Sequence, residues 1–278
     1  MIIDAHTHIF PEEIISQREH YFINEPAFQL LYKSPKTKMV TAKETLAMME
    51  QEEVDRAVVF GIPWQQMELT QRHNDVVLEA VQQHSDRFLG LCCVDPLQKN
   101  ATQEVERCLK AGCVGVGEIA FYDSDITDEI IEALEPVMSL CQQFDRPVLI
   151  HANEPVGRTY PGKSPSTIKQ LYKMICRFPQ TKIILAHFGG GLFFYASLKE
   201  ETKDIFQNLW IDCAAAPYLY QPQIYQISTS LLGEDKLLFG SDFPLLPPSR
   251  YFEEMEKIGL SDTQLRKIKG ENAAALFL

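Results

Sequence analysis

The sequence predicts a closed (β/α)8 barrel, the TIM-barrel class. Three observations carry this. Eight short apolar runs recur along the 278 residues, helical patterns separate nearly all of them, and no Gly-x-Gly-x-x-Gly follows the first run to support an open dinucleotide-type sheet. Continuous rather than alternating apolar runs suit a parallel sheet covered on both faces. Apolar residues make up 45% of the chain, enough for a large core, and the length suits one barrel. No linker divides the sequence, so residues 1–278 read as one domain.

The first strand opens the chain in Met1-Ile2-Ile3-Asp4-Ala5-His6-Thr7-His8. Alternation along a strand sends His6 and His8 to the same side. A long irregular stretch follows over 11–40, carrying Tyr21, Phe22, Phe28 and Tyr32. A stretch of that length after a strand is expected as a lid or binding loop, with a small satellite core as the equal alternative. Thr41-Ala42-Lys43-Glu44 is a capping box that starts a helix ahead of the strand at 57–60. A helix over 68–83 turns Val77, Ala80 and Val81 to one face, and a strand follows at 88–94. A helix over 101–110 precedes the strand at 114–119. A helix over 128–144, burying Ile130, Leu134, Met138 and Cys141, precedes the strand at 147–151. The loop 153–165, rich in Pro, Gly and Ser, leads to a helix with Ile168, Leu171, Tyr172, Ile175 and Cys176 on its apolar face. The strand at 182–187 ends in Gly189-Gly190-Gly191. A weaker helical pattern over 195–206 precedes the strand at 209–213. A helix over 223–231 precedes the strand at 236–239 and Gly240-Ser241-Asp242-Phe243-Pro244. Short helices near 251–258, 261–269 and 271–278 close the chain.

The formal net charge of −12 argues against nucleic acid or an anionic membrane surface as partner and leaves a small molecule. No apolar run reaches the roughly 20 residues of a membrane span. The N-terminus has no basic region or cleavage site, and the seven cysteines form an odd set without Cys-x-x-Cys, most of them in apolar runs. Together these suggest a reducing, cytoplasmic setting. Pairing of two barrels as a homo-oligomer is left open.

In such barrels the chemistry gathers at the C-terminal strand ends. The first strand delivers His6 and His8 there, the fourth Glu118, the fifth His151, the sixth His187, and the eighth Asp242. Each alone has a bland explanation, such as a satisfied polar residue or a helix cap. Together they form a nitrogen- and carboxylate-rich set suited to a divalent metal, zinc first and manganese or iron next. The remaining histidines, His20, His73 and His84, read as surface residues.

The motifs Ile3-Asp4-Ala5-His6-Thr7-His8, the His151 and His187 strand ends, Gly240-Ser241-Asp242-Phe243-Pro244 and Glu271-Asn272-Ala273-Ala274-Ala275-Leu276-Phe277 span the chain in order. With them the sequence resembles the amidohydrolase superfamily, in particular its amidohydrolase-2 branch. The resemblance implies that His6, His8 and His151 bind metal. It implies that Asp242 binds metal or the attacking water and acts as general base. It implies that His187 either completes a second metal site or polarises and protonates the substrate. Many binuclear members carry a carbamylated lysine on the fourth strand. Glu118 stands in the corresponding region here, in a Gly117-Glu118 similar to the bridging glutamate of TatD-type relatives, and one ion is favoured over two.

Metal-activated water with Asp242 as base predicts a hydrolase acting on an amide, ester or lactone of a small, acidic molecule. The runner-up is a non-oxidative decarboxylase of an unsaturated or aromatic carboxylic acid. A TatD-like nuclease ranks lower on charge, and a non-catalytic barrel lower still because the ligand set is complete. Asn153, Arg158 and Tyr160 on the loop after the fifth strand, and Trp64 after the second, are candidate substrate contacts. Lys163 and Arg250 are further loop cations, and Phe121 is a possible pocket wall.

Overall fold

The computed structural model describes residues 1–278. Eight strands, β1 (Ile3–His8), β2 (Arg56–Phe60), β3 (Phe88–Cys92), β4 (Gly115–Ile119), β5 (Val148–Ile150), β6 (Ile183–Leu185), β7 (Leu209–Asp212) and β8 (Leu237–Leu238), pair in parallel in sequence order. The chain around β8 returns to β1: the Ala5 amide donates to the Phe239 carbonyl at 2.8 Å, and the His8 amide to the Phe243 carbonyl at 2.9 Å. The eight apolar runs thus form the expected (β/α)8 barrel. One layer of side chains fills its interior, among them Ile3, Ala5, Val58, Phe60, Leu89, Leu91, Leu149, Ile184 and Leu238, with Ala273, Leu276 and Phe277 of the last helix packed against it. A larger layer lies between the sheet and the surrounding helices. Burial on both faces is why these strands read as unbroken apolar runs.

Most elements fall where periodicity placed them. Thr41 and Glu44 form the reciprocal capping box of the helix Ala42–Gln51. The helix Ile168–Arg177 starts from a second box, between Thr167 and Gln170. Its inner face is Leu171, Met174 and Ile175, and Cys176 is exposed.

Three expectations change. The stretch 11–40 is not an unstructured lid. It folds into Glu12–Ser16, Arg18–Phe22 and Pro26–Tyr32 around a satellite core of Phe10, Ile14, Phe28, Tyr32, Met39, Ile62 and Trp64. Its aromatic content serves that core, and Leu31 lies against the Gly162 turn of the loop after β5.

His73 is not a surface residue. It is 1% exposed, donates from Nε2 to the Ile9 carbonyl at 2.6 Å, and accepts from Trp64 Nε1 at 2.9 Å.

The helix expected over 195–206 is absent as such. A 3-10 run, His187–Ser197, is followed by Glu201–Ile205 and Phe206–Asn208. Five consecutive residues with positive φ, His187 to Gly191, break the path of a right-handed helix.

Candidate metal centre and active site

β1 carries two imidazoles to the barrel mouth. Its pairing with β2 slips by one residue between Asp4 and Thr7, and both rings still converge. His8 donates from Nδ1 to the Gly61 carbonyl at 3.1 Å, which turns Nε2 inward. His6 is held from Nδ1 by Asp212 Oδ2 at 2.9 Å, and its Nε2 is buried without a partner. His187 follows β6, donates from Nδ1 to the Ala214 carbonyl at 2.9 Å, and likewise directs Nε2 inward. Fixing one nitrogen by an outer acceptor selects the tautomer whose other nitrogen can bind a metal.

Four carboxylates complete the arrangement. Glu118, near the end of β4 and 3% exposed, faces two groups. Its Oε2 lies 3.9 Å from Nε2 of both His6 and His8. Its Oε1 lies 3.0 Å from His151 Nδ1 and 3.7 Å from His187 Nε2. Asp242 lies just after β8 with Oδ1 3.5 Å from His8 Nε2 and 3.7 Å from His6 Nε2. Asp212, at the end of β7, uses Oδ1 to accept the amides of His187 and Ala214. Asp4 receives the amides of His6 and Ser241 and the Ser241 hydroxyl, and so ties β1 to the Asp242 turn. Gly240 is required at that junction: a Cβ there would stand 2.7 Å from His6 Cβ.

The electrostatics are those of crowded buried charges. Burial pushes His6 down, but Asp212 and Glu118 outweigh it and hold the imidazole up at about 10. Burial and the neighbouring His6 push His8 down to about 3. Burial and His151 lower His187 to about 4. Burial raises the Asp242 carboxyl to about 7, against the pull of His6. Burial opposes ionisation of Glu118, yet His151 and His6 hold it well below the carboxylate range. His151 is lowered by burial and raised more strongly by Glu118. Its Nε2 donates to the Gly162 carbonyl at 2.9 Å while Nδ1 faces the Glu118 carboxylate. Acceptors at both nitrogens call for an imidazolium in the metal-free protein.

His6, His8 and Glu118 form one group with donor atoms all within 4.8 Å of one another, and Glu118, His151 and His187 form a second. The orphaned Nε2 of His6 and this concentration of imidazole and carboxylate fit a divalent cation. The six residues expected at the strand ends are brought together.

The four expected substrate contacts are not. Trp64 is wholly buried in the satellite core. Asn153 is spent on the loop backbone, accepting the Ser164 amide at 2.8 Å and donating to the Ser164 carbonyl at 3.3 Å. Arg158 is exposed on that loop. Tyr160 donates to Glu154 Oε2 at 3.0 Å, and Lys163 pairs with Glu154 Oε1 at 3.0 Å. Phe121 belongs to the outer core.

Aromatic groups that do border the centre are Phe60, 4.8 Å from the His8 ring, and Tyr122, 5.1 Å from the His151 ring. Sequence reasoning passed over Tyr122, Asp4 and Asp212. An acid closing the apolar run Leu209-Trp210-Ile211 was the available signal for Asp212.

The amidohydrolase family profile matches residues 3–278. A 2-amino-3-carboxymuconate-6-semialdehyde decarboxylase of Dictyostelium discoideum is 23% identical over 98% of this chain and 90% of its own length. The crystal structure of 5-carboxyvanillate decarboxylase from Sphingomonas paucimobilis superposes with a TM-score of 0.78 at 19% identity, covering 99% of this chain and 98% of that one. The 5-carboxyvanillate decarboxylase of Novosphingobium aromaticivorans, with bound manganese, also gives 0.78 at 17% identity, covering 100% and 97%. These findings correct the expectation of amide, ester or lactone hydrolysis, since the curated relative and both of these structures are decarboxylases. They also lend no support to zinc in particular, manganese being the ion bound in the last structure.

Proposed function

The chain belongs to the amidohydrolase family, and from that premise we propose that it is a metal-dependent, non-oxidative decarboxylase of a small aromatic or conjugated unsaturated carboxylic acid. The observation that carries this is the donor set at the barrel mouth, His6, His8, Glu118, His151 and Asp242, on a chain similar in sequence and in fold to decarboxylases. We assign the metal to these residues and favour manganese over zinc, as in the Novosphingobium neighbour.

A divalent ion held by these residues would supply positive charge to a bound carboxylic acid. The chain itself must orient the acid and deliver one proton. Its loop cations do not reach in: Arg158 is exposed, and Lys163 is bonded to Glu154 and to the Val156 carbonyl. Balancing the substrate carboxylate therefore falls to the centre and not to a basic clamp. Of the clustered groups, Asp242 and His8 keep the most side-chain surface, 18% and 11%. Asp242 is thus placed at the point a ligand reaches, where a carboxyl proton can pass to the ring carbon as the carbon–carbon bond opens. The electron pair of that bond ends in the new C–H bond, and carbon dioxide leaves. To His187, held by Ala214 and set against His151, we assign the polarising of the substrate.

The test is carbon dioxide release from hydroxylated benzoates and conjugated unsaturated acids by the manganese-loaded protein. We expect stoichiometric carbon dioxide and decarboxylated product from at least one of them, lost on chelation and in Asp242→Asn. Turnover of lactones or esters with no carbon dioxide from any acid would overturn the proposal.

A further inference from the structure

Outside the mouth, three thiols meet on the far side of the barrel wall. Cys92 ends β3, Cys108 lies in the helix Ala101–Ala111, and Cys113 precedes β4. Their sulfurs lie within 4.8 Å of one another. All three belong to the core layer between the sheet and that helix. None is more than 2% exposed.

This convergence is not a by-product of local sequence. Pairing of Cys92 with Val116 sets β3 beside β4, the inner face of the helix presents Cys108, and the left-handed Gly112 turns the chain so that Cys113 comes back under both. Small apolar packing would account for one such cysteine. It does not call for three thiols, from a strand, the helix after it and the turn that follows, meeting at one spot.

We propose that Cys92, Cys108 and Cys113 form a second metal site, three-coordinate and sulfur-only, for one soft monovalent ion of the copper(I) class. Thiolate donors select soft ions over magnesium, calcium or manganese. A four-coordinate ion such as zinc would need a fourth ligand, and the neighbouring carboxylate is already committed. Glu104 Oε1 accepts from Arg107, from Asn74 Nδ2 at 2.9 Å and from the Cys108 thiol at 3.3 Å, and Oε2 accepts from Arg107 Nε at 2.8 Å.

The ligating form of cysteine is the thiolate. One cuprous ion held by the three sulfurs therefore displaces three protons to solvent, and no electron is transferred. The sulfurs lie close beneath the surface: Lys110, Ala111 and Gly112 at the helix end are exposed, and Cys113 is the next residue. The two sites also differ in kind: imidazole and carboxylate at the mouth, sulfur alone behind the wall.

The experiment uses the full chain, reduced, with cuprous ion supplied as its acetonitrile complex against a chromogenic copper(I) chelator. The Cys176→Ser variant serves as background, which removes the exposed thiol. We expect one equivalent to be withheld from the chelator, and thiol labelling with and without cuprous ion, followed by mass mapping, to show Cys92, Cys108 and Cys113 labelled more slowly only when the ion is present, with Cys93, Cys141 and Cys213 unchanged. Each of Cys92→Ser, Cys108→Ser and Cys113→Ser should weaken retention at least tenfold, while His6→Ala/His8→Ala should leave it unchanged. If a serine variant does not fold, the protection pattern of the parent protein decides alone. No equivalent withheld, or copper that follows His6 and His8 instead of the three cysteines, would overturn the site.

Discussion

Asp212 Oδ2 holds His6 Nδ1 at 2.9 Å, with both side chains out of solvent. The other oxygen of the same carboxylate accepts the His187 amide at 2.9 Å. One acid at the end of β7 therefore fixes the tautomer of an imidazole on β1 and the backbone that launches another after β6. The centre is held together by a residue that does not face it.

The first prediction follows from that pair. Asp212→Asn keeps the size of the side chain but sets an amide N–H or an uncharged oxygen against His6. Roughly a 10- to 100-fold loss of manganese affinity is expected, the usual cost of removing a carboxylate that orients a metal-bound histidine. Titration calorimetry on variant and parent, with circular dichroism to establish that both are folded, measures it. Equal affinities would mean that the orientation of His6 is set elsewhere.

What the sequence made legible is what a strand end can show. His6, His8, Glu118, His151, His187 and Asp242 each close or follow an apolar run, and barrel geometry brings all such ends to one rim. Asp212 closes a run as well, but an acid there also reads as a cap, and only the distance to His6 distinguishes the two. His73 was misplaced because Arg72 and Asn74 flank it. Counting by helical period would have set it one turn from Val77 and two from Ala80, on the buried face of Met67–Gln83. The substrate contacts failed for a different reason. Position on a rim loop is visible in sequence, but side-chain direction is not, and Asn153 and Tyr160 turn back onto their own loop.

Gly190 gives the second prediction. Its φ is +60°, and a Cβ there would stand 2.3 Å from the Asn153 carbonyl oxygen. Backbone cannot yield as a side chain can, and a left-handed alanine adds strain. Gly190→Ala should cost about 2–4 kcal/mol of stability, read from urea midpoints. It should also speed proteolysis within 153–165, since Asn153 anchors Ser164 at 2.8 Å. A variant as stable as the parent would show that the two loops separate freely.

His73 gives the third. Burial lowers its imidazole from 6.5 to about 4 in the folded protein. The unfolded chain therefore takes up a proton that the folded chain refuses between those values. Stability is whole above about pH 6.5, falls as the pH drops through that window, and levels off below about 4. The loss is on the order of 3 kcal/mol for a shift of this size. Denaturation of the parent and of His73→Gln across pH 4–7.5 isolates it, because His8 and His187 are common to both. A pH-independent difference between the two would show that His73 accepts a proton without unfolding.

The last prediction concerns Glu118 and the number of ions. The group at Oε2 holds His6 and His8 and has Asp242 beside it, whereas the group at Oε1 holds only His151 and His187. A cation entering the first meets two imidazoles and two carboxylates, and takes on His151 once the proton between it and Glu118 leaves; a second cation would have only His187 left to itself and would have to share Glu118. One equivalent of manganese should therefore survive dialysis, measured by elemental analysis. Glu118→Gln should lower both its retention and the melting temperature of the metal-free protein, because His151 and His6 would lose a carboxylate buried with them. Two equivalents retained by the parent would make Glu118 a bridge, and a metal-free Glu118→Gln that melts with the parent would mean that His151 carries no charge.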